Sequence, residues 1–135
     1  MKPDRPQWIN EVAAITGVVF VLAFLTNLLV VVLAPRSYAA FADWAGAPGW
    51  VRDLWAVTVG AHPAFWMPLV AAYQLAVGVC ALTARRRVLG VSGAALFHCG
   101  LLLLGMWPYA LPVLAILLVT LWHAMRPLSD KEKKP

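Results

Sequence analysis

Three long stretches of the chain contain no Asp, Glu, Lys or Arg, and this feature limits the possible folds more than any other. They cover residues 12–35, 54–84 and 88–125. A transmembrane helix requires about 20 mostly apolar residues, because each residue rises about 1.5 Å through a hydrocarbon core about 30 Å thick. Hydrophobic residues form 62% of the chain, whereas about 45–50% is usual for soluble domains. The sequence therefore predicts an integral membrane protein.

The positions of glycine, proline and polar residues divide these stretches into four predicted spans. The spans lie at about 11–33, 64–83, 88–107 and 109–125. Gly105 and Pro108 separate the last two, and we predict a tight turn at Trp107-Pro108 because proline does not continue a helix. The predicted fold class is all-α, with a single membrane domain over residues 1–135. Its architecture is an integral membrane four-helix bundle with short interfacial amphipathic helices in the first, outer loop.

Lysine and arginine are distributed unequally between the two predicted sides of the membrane. With four spans, both termini share one side with the loop between the second and third spans. That side holds nine basic residues, whereas the opposite side holds only Arg36 and Arg52. Cytoplasmic loops carry the excess of positive charge, so both termini and the tail at 126–135 are predicted to be cytoplasmic, in a bacterial inner membrane. Because the basic residues flank apolar spans, we expect contact with membrane lipids and no nucleic-acid partner.

The long segment at 35–63, termed the connecting segment below, is too polar and too rich in glycine and proline to cross the membrane. Two of its stretches have helical periodicity, the first through Tyr38 and Phe41 and the second through Trp50 and Leu54. We predict two short amphipathic helices that either anchor at the membrane surface or fold over the bundle as a lid. A third interpretation is a docking surface for another protein, formed by Trp44, Trp50, Arg52, Asp53 and Trp55.

Few polar residues lie inside the predicted spans, and each requires a partner or a cavity because hydrocarbon offers no hydrogen bonds. Gln74 and His98 are predicted at matching depth near the midplane, each about 16 Å from its membrane boundary. With Asn27 and Tyr73 they form a candidate ligand-binding site for a quinone head, a small carbonyl compound or an isoprenoid-like molecule. The alternative is that Gln74 and His98 hydrogen-bond each other or a backbone carbonyl and fix the helix register.

The sequence does not favour metal, haem or thiol chemistry. His98 is central whereas His123 lies near the end of the last span, so the two histidines are not placed to sandwich a haem iron. Cys80 and Cys99 differ in predicted depth by about 10 Å, which is too far for a disulfide. We therefore predict no metal site and assign no catalytic residue. Glu11 is the only acidic residue in the spans, at their edge, which argues against a proton-coupled transporter.

Several short motifs occur in a particular order between residues 12 and 125. They are Arg36-Ser37-Tyr38, Phe41-Ala42, Val51-Arg52-Asp53-Leu54-Trp55, Ala72-Tyr73-Gln74-Leu75, Gly78-Val79 and Ala95-Leu96-Phe97-His98. This order resembles the DoxX-like family of small four-helix integral membrane proteins. The resemblance implies a four-helix bundle, and either redox work beside quinone-using enzymes or a role in assembly. Family members often carry an acidic residue where this chain has Gln74, and a neutral amide does not exchange protons.

These observations lead to two functional hypotheses from different classes. The first is an accessory or assembly subunit, or a protein that binds an apolar lipid-like ligand near Gln74 and His98. Its expected partners are membrane lipids, another membrane protein or complex, and an apolar small molecule. The alternative is a quinone-linked membrane oxidoreductase subunit, in which Tyr73 and His98 hydrogen-bond the quinone carbonyls. Quinone would then be the cofactor, and haem is disfavoured.

Overall fold

A computed structural model describes residues 6–126, and these residues fold as helices joined by turns. The predicted all-α class is confirmed for this part of the chain. Lys2, Arg5, Lys131, Lys133 and Lys134, on which the predicted orientation partly depends, lie outside the described residues, as does the tail beyond Arg126. The helices in chain order are α1 (Gln7–Leu33), α2 (Phe41–Trp44), α3 (Gly49–Trp55), α4 (Pro63–Leu82), α5 (Arg87–Leu103) and α6 (Trp107–Met125). A 3₁₀ turn covers Pro35–Tyr38, and a π-helical turn covers Ala56–Gly60.

Three helices, α1, α4 and α6, are long and apolar enough to cross a membrane. α5 is also apolar but has 17 residues, a length of roughly 26 Å at about 1.5 Å per residue. Large apolar side chains are exposed on the outside of the long helices, among them Ile15, Leu29, Leu69 and Ile116. Extended apolar surface of this kind marks a membrane or partner contact. The length and composition of the three helices and this exposed surface together indicate a membrane protein.

The connection between α5 and α6 is a short turn at 104–106, so the predicted turn at Trp107-Pro108 is wrong. Gly105 has a φ of +85°, a left-handed conformation that favours glycine because a Cβ would crowd the following carbonyl oxygen. Trp107 is already the first residue of α6, and Pro108 lies in its first turn. Proline is tolerated there because the missing N–H has no partner within the helix. The glycine therefore ends α5, and the proline helps to begin α6.

Glycines allow the closest contacts between the long helices. A Cβ on Gly17 of α1 would lie 3.0 Å from the carbonyl oxygen of Gly78 on α4. A Cβ on Gly90 of α5 would lie 2.6 Å from the Cα of Ala81 on α4. Close backbone approach of this kind drives helix association in lipid, where apolar surfaces gain little from meeting each other. The buried core between the long helices consists of Ala13, Phe20, Val77, Val91, Ala94, Ala95, Leu117 and Leu121.

The connecting segment folds back onto the ends of α1 and α4. Ala42, Ala47 and Val51 form a small buried cluster, and Trp55 and Leu104 pack against it. Because Leu104 follows α5 directly, this cluster also joins the segment to the α5–α6 turn. Short helices are therefore present in the segment as predicted, and the segment packs on the ends of α1 and α4 and on the α5–α6 turn.

Candidate functional site

A cavity of about 370 Å³ lies where α1, α4 and α5 meet the connecting segment. This volume is within the range of roughly 300–1,000 Å³ that is usual for small-molecule sites. Most of the lining is apolar or aromatic, and the amide of Asn27 and two phenols supply the polar groups. The lining residues are Asn27, Tyr38, Phe41, Trp55, Met67, Val70, Tyr73, Leu96, Phe97, Gly100, Leu101 and Leu104.

A chain of hydrogen bonds crosses one wall of the cavity. The Trp55 indole N–H donates to the Tyr38 carbonyl oxygen over 2.6 Å, and the Tyr38 hydroxyl donates to Asn27 Oδ1 over 2.8 Å. Asn27 Nδ2 then donates to Gln74 Oε1 over 2.7 Å. Because buried polar groups are costly when they lack partners, this chain ties the connecting segment to α1 and α4.

Tyr38 is the residue at which the connecting segment enters the site. Its side chain is buried, and this burial raises the pKa of the phenol above its ordinary value of 10.0 because the phenolate loses solvation. The phenol therefore stays neutral over the physiological pH range. It acts as a hydrogen-bonding group and carries no charge into the cavity.

Tyr73 links α4 to α5 beside the cavity. Its hydroxyl donates to the Gly93 carbonyl oxygen of α5 over 2.8 Å, and its ring stacks on Phe97 with centroids 6.3 Å apart. The absence of a Cβ on Gly93 keeps this part of α5 close to α4, since an added Cβ would lie 2.7 Å from Val77 Cγ2. Tyr73 therefore fixes the separation of α4 and α5 beside the cavity.

His98, like Gln74, is not part of the cavity lining. It is 3% exposed, and its Nδ1 lies 2.8 Å from the Ala94 carbonyl oxygen. A carbonyl can only accept, so Nδ1 is the donor in this contact. Within residues 6–126, Nε2 has no hydrogen-bond partner. The ring is surrounded by Phe20, Phe97 and Tyr109.

The structure thus brings two of the predicted residues into direct contact, places Tyr73 beside the same cavity, and leaves His98 outside the cavity lining. Asn27 and Gln74 share a hydrogen bond, Tyr73 lines the same cavity as Asn27, and His98 bonds to the backbone of its own helix. The cavity is built from more of the connecting segment than the sequence indicated, because Tyr38 and Phe41 line it. The helical periodicity through Tyr38 and Phe41 was the one sequence signal for these residues.

The cavity lining includes residues of α4 and α5 that are exposed on the outer surface. Leu96 and Gly100 on α5 line the cavity and are also exposed on the outer surface of the protein. A Cβ built on Gly100 meets no atom within 4 Å, so open space begins at this position. An apolar molecule can therefore reach the cavity from the side of the helix group.

The residues predicted as a docking surface separate into two groups. Trp44 and Trp50 are 77% and 63% exposed, Asp53 is exposed, and Arg52 forms an exposed ion pair with Asp43 at 3.5 Å. Trp55 is only partly exposed and lines the cavity. It belongs to the cavity wall, and the exposed pair of tryptophans forms the outer surface of the segment.

The described residues around the cavity offer apolar surface and uncharged hydrogen-bonding groups. Among residues 6–126, no three His, Cys, Asp or Glu side chains are grouped so that they could hold a metal ion. Cys80 and Cys99 are free thiols, and neither lines the cavity. General acid–base catalysis needs a group that exchanges protons near neutral pH, and the described lining residues include no Asp, Glu, His, Lys or Arg.

Comparison with protein-family models, with curated proteins and with solved structures finds no match to this chain.

Proposed function

We propose that this chain is a small integral membrane protein that binds an apolar, lipid-like molecule in the cavity between α1, α4, α5 and the connecting segment. The observation that carries the proposal is the sideways opening of an uncharged, mostly apolar cavity beside Leu96 and Gly100. If α4 and α5 are membrane helices, this opening faces lipid, so a lipid-like molecule could enter without crossing water. The hydrogen-bonded wall at Asn27 and Tyr38 would orient its polar end.

The proposal includes four membrane spans, with α5 as the fourth. α5 is shorter than the hydrocarbon thickness, but local thinning of the bilayer can accommodate a short helix. The connection between α4 and α5, with Arg85, Arg86 and Arg87, would then face the cytoplasm of a bacterial cell together with both termini. The connecting segment would lie on the opposite face, where the exposed Trp44 and Trp50 suit the headgroup region.

Thiol labelling tests this orientation. With Cys80→Ala and Cys99→Ala as background, a cysteine at Ser37 in the connecting segment is expected to react with a membrane-impermeant maleimide in intact spheroplasts. A cysteine at Thr83 in the α4–α5 turn should react only after permeabilisation. Both positions are exposed, so a difference in labelling reports sidedness. Labelling of Thr83→Cys but not Ser37→Cys in intact spheroplasts would reverse the proposed orientation.

Filling the cavity at Gly100 tests the binding proposal. Gly100→Phe places a ring into open space, so the fold is expected to persist while the amount of lipid that co-purifies falls about tenfold, a loss of about 1.4 kcal/mol in binding. Gly100→Ala is the matched control, because one methyl group leaves most of the cavity free. The measurement is mass spectrometry of organic extracts from equal amounts of each purified protein. Identical extracts from wild type and Gly100→Phe would reject the cavity as a binding site.

The identity of the extracted molecule separates the remaining proposals. A quinone would favour the quinone-linked oxidoreductase subunit, which is one of the two roles that the DoxX-like resemblance implies. A co-purifying membrane protein without a specific lipid would favour an accessory or assembly subunit, with Trp44 and Trp50 as the first positions to test for docking. Substituting both tryptophans with serine should then release that partner while the helical content of the protein stays unchanged.

A further inference from the structure

The cavity offers hydrogen-bond acceptors and almost no free donors, and this imbalance restricts the head group of its ligand. The Tyr38 hydroxyl donates its only proton to Asn27 Oδ1 over 2.8 Å. The Tyr73 hydroxyl donates its only proton to the Gly93 carbonyl oxygen over 2.8 Å. Each phenol oxygen keeps its lone pairs. Both side chains can therefore accept a hydrogen bond from a ligand, and neither can donate one.

The other polar side chains of the lining leave a single free donor. The Trp55 indole N–H is committed to the Tyr38 carbonyl oxygen. Asn27 uses one of its two amide N–H groups on Gln74 Oε1, so one N–H remains. A ketone, an ester or a quinone carbonyl only accepts, and it would leave both phenol oxygens without a donor. A hydroxyl group can donate to a phenol oxygen and accept from Asn27 at the same time.

The lining also disfavours a charged head group. None of the described residues around the cavity carries a formal charge, and the Arg52–Asp43 pair lies on the exposed surface of the connecting segment. Moving an unpaired carboxylate or ammonium group into apolar surroundings costs several kcal/mol, on the order of the penalties measured for buried ions. An ionised fatty acid or amine is therefore bound less well than an uncharged molecule with the same chain.

We propose that the cavity selects an uncharged lipid alcohol. Its hydroxyl donates to the oxygen of Tyr38 or Tyr73, and its chain leaves through the opening beside Leu96 and Gly100. Long-chain and isoprenoid alcohols belong to this class, whereas esters, ketones and ionised fatty acids of the same chain length do not. This inference rests on the proposed function, because it names the ligand class of the same cavity.

Three probes with one brominated chain and different head groups test the selection. They are dibromostearyl alcohol, the methyl ester of dibromostearic acid, and ionised dibromostearate. Bromine quenches tryptophan fluorescence on contact, and Trp55 lies in the cavity wall. Quenching is measured on the full chain in detergent micelles, and the Trp55 signal is the difference between wild type and Trp55→Phe. The alcohol is expected to quench Trp55 at about tenfold lower concentration than the ester, the preference that one hydrogen bond supplies. Its advantage over the carboxylate is expected to exceed about 100-fold, because the carboxylate also loses its solvation.

Two variants distinguish the possible outcomes: one that lacks the hydrogen-bond acceptors of the cavity, and Gly100→Phe. The triple variant Tyr38→Phe, Tyr73→Phe, Asn27→Leu removes both phenol oxygens and also Asn27 Oδ1, which loss of the Tyr38 hydroxyl would otherwise free as an acceptor. It keeps both rings, and the advantage of the alcohol over the ester is expected to fall below about twofold. If all three probes quench wild type equally, or the ester or carboxylate quenches better, the selectivity is overturned while lipid binding stands. If every probe quenches Trp55 in Gly100→Phe as strongly as in wild type, the probes do not enter the cavity, and both the selectivity and the proposed function are overturned.

Discussion

Replacing Gly90 with alanine is expected to lower the free energy of unfolding by about 3 kcal/mol, the upper end of the usual cost of overpacking. The added Cβ would lie 2.6 Å from the Ala81 Cα and 2.8 Å from the Ala81 Cβ. Ala81 is fully buried at 0% exposure, and neither its backbone nor its methyl group can rotate out of the way. α4 and α5 would therefore have to separate where they cross.

The same substitution at Gly100 is the matched control for this prediction. Gly100 is also on α5, but its added Cβ meets nothing within 4 Å. Alanine is a better helix former than glycine by about 0.5–1 kcal/mol, so Gly100→Ala is expected to be neutral or slightly stabilising. Unfolding in mixed micelles, followed by far-ultraviolet circular dichroism as the denaturing detergent increases, compares the two. Equal midpoints for Gly90→Ala and Gly100→Ala would contradict the close α4–α5 contact.

These two glycines show what the sequence can and cannot predict. Hydropathy identifies α5 as an apolar helix because periodicity and composition are local properties of the chain. Gly90 and Gly100 look equivalent at that level, yet one meets the backbone of α4 and the other faces a cavity. The difference depends on which part of α4 lies opposite each glycine, and this follows from packing between residues that are distant in sequence.

The sequence predicts how far along its helix each candidate site residue lies, but not the direction in which its side chain points. Counting residues from a membrane boundary gives the height of a side chain, because the rise per residue is constant. It does not give the direction around the helix relative to its neighbours. Phe97 lines the cavity, whereas the adjacent His98, about 100° further round the helix, is buried among Phe20, Phe97 and Tyr109.

The contribution of the connecting segment was harder to predict, since its position depends on the α5–α6 turn. Tyr38 and Trp55 reach the cavity because the segment is held against Leu104 and the turn that follows it. The sequence supplied the short helices through their periodicity. It contained no signal that these helices pack on a glycine turn some 60 residues further along the chain, roughly the separation of Gly46 and Gly105.

Gly105→Ala is expected to release the connecting segment from this turn and to open the cavity. A Cβ at Gly105 would lie 2.6 Å from the Gly46 carbonyl carbon and 2.7 Å from the Ala45 carbonyl oxygen. The left-handed backbone of Gly105 adds about 1–2 kcal/mol for any residue with a Cβ. The long helices are held together by their own core, so we expect the connecting segment to move away from the turn while the long helices keep their positions.

The loss of this contact should be visible at the cavity wall. Ala47 and Val51 would separate from Leu104, with which they share a buried cluster, and Trp55 would move away from Tyr38. We expect the Trp55 fluorescence, isolated by comparison with Trp55→Phe, to shift to longer wavelength in Gly105→Ala. The co-purifying lipid is expected to fall about tenfold, while the helical circular dichroism signal stays close to that of wild type.

Gly46→Ala tests whether backbone strain alone has the same effect as a clash between Gly105 and the connecting segment. Gly46 also has a positive φ of +77°, but a Cβ at this position meets nothing within 4 Å. The variant therefore carries a similar backbone cost of about 1–2 kcal/mol without touching Gly105. Its Trp55 emission and lipid content are expected to remain near those of wild type. If Gly46→Ala lowers both as much as Gly105→Ala does, backbone strain alone opens the segment, and its contact with the α5–α6 turn does not hold the cavity closed.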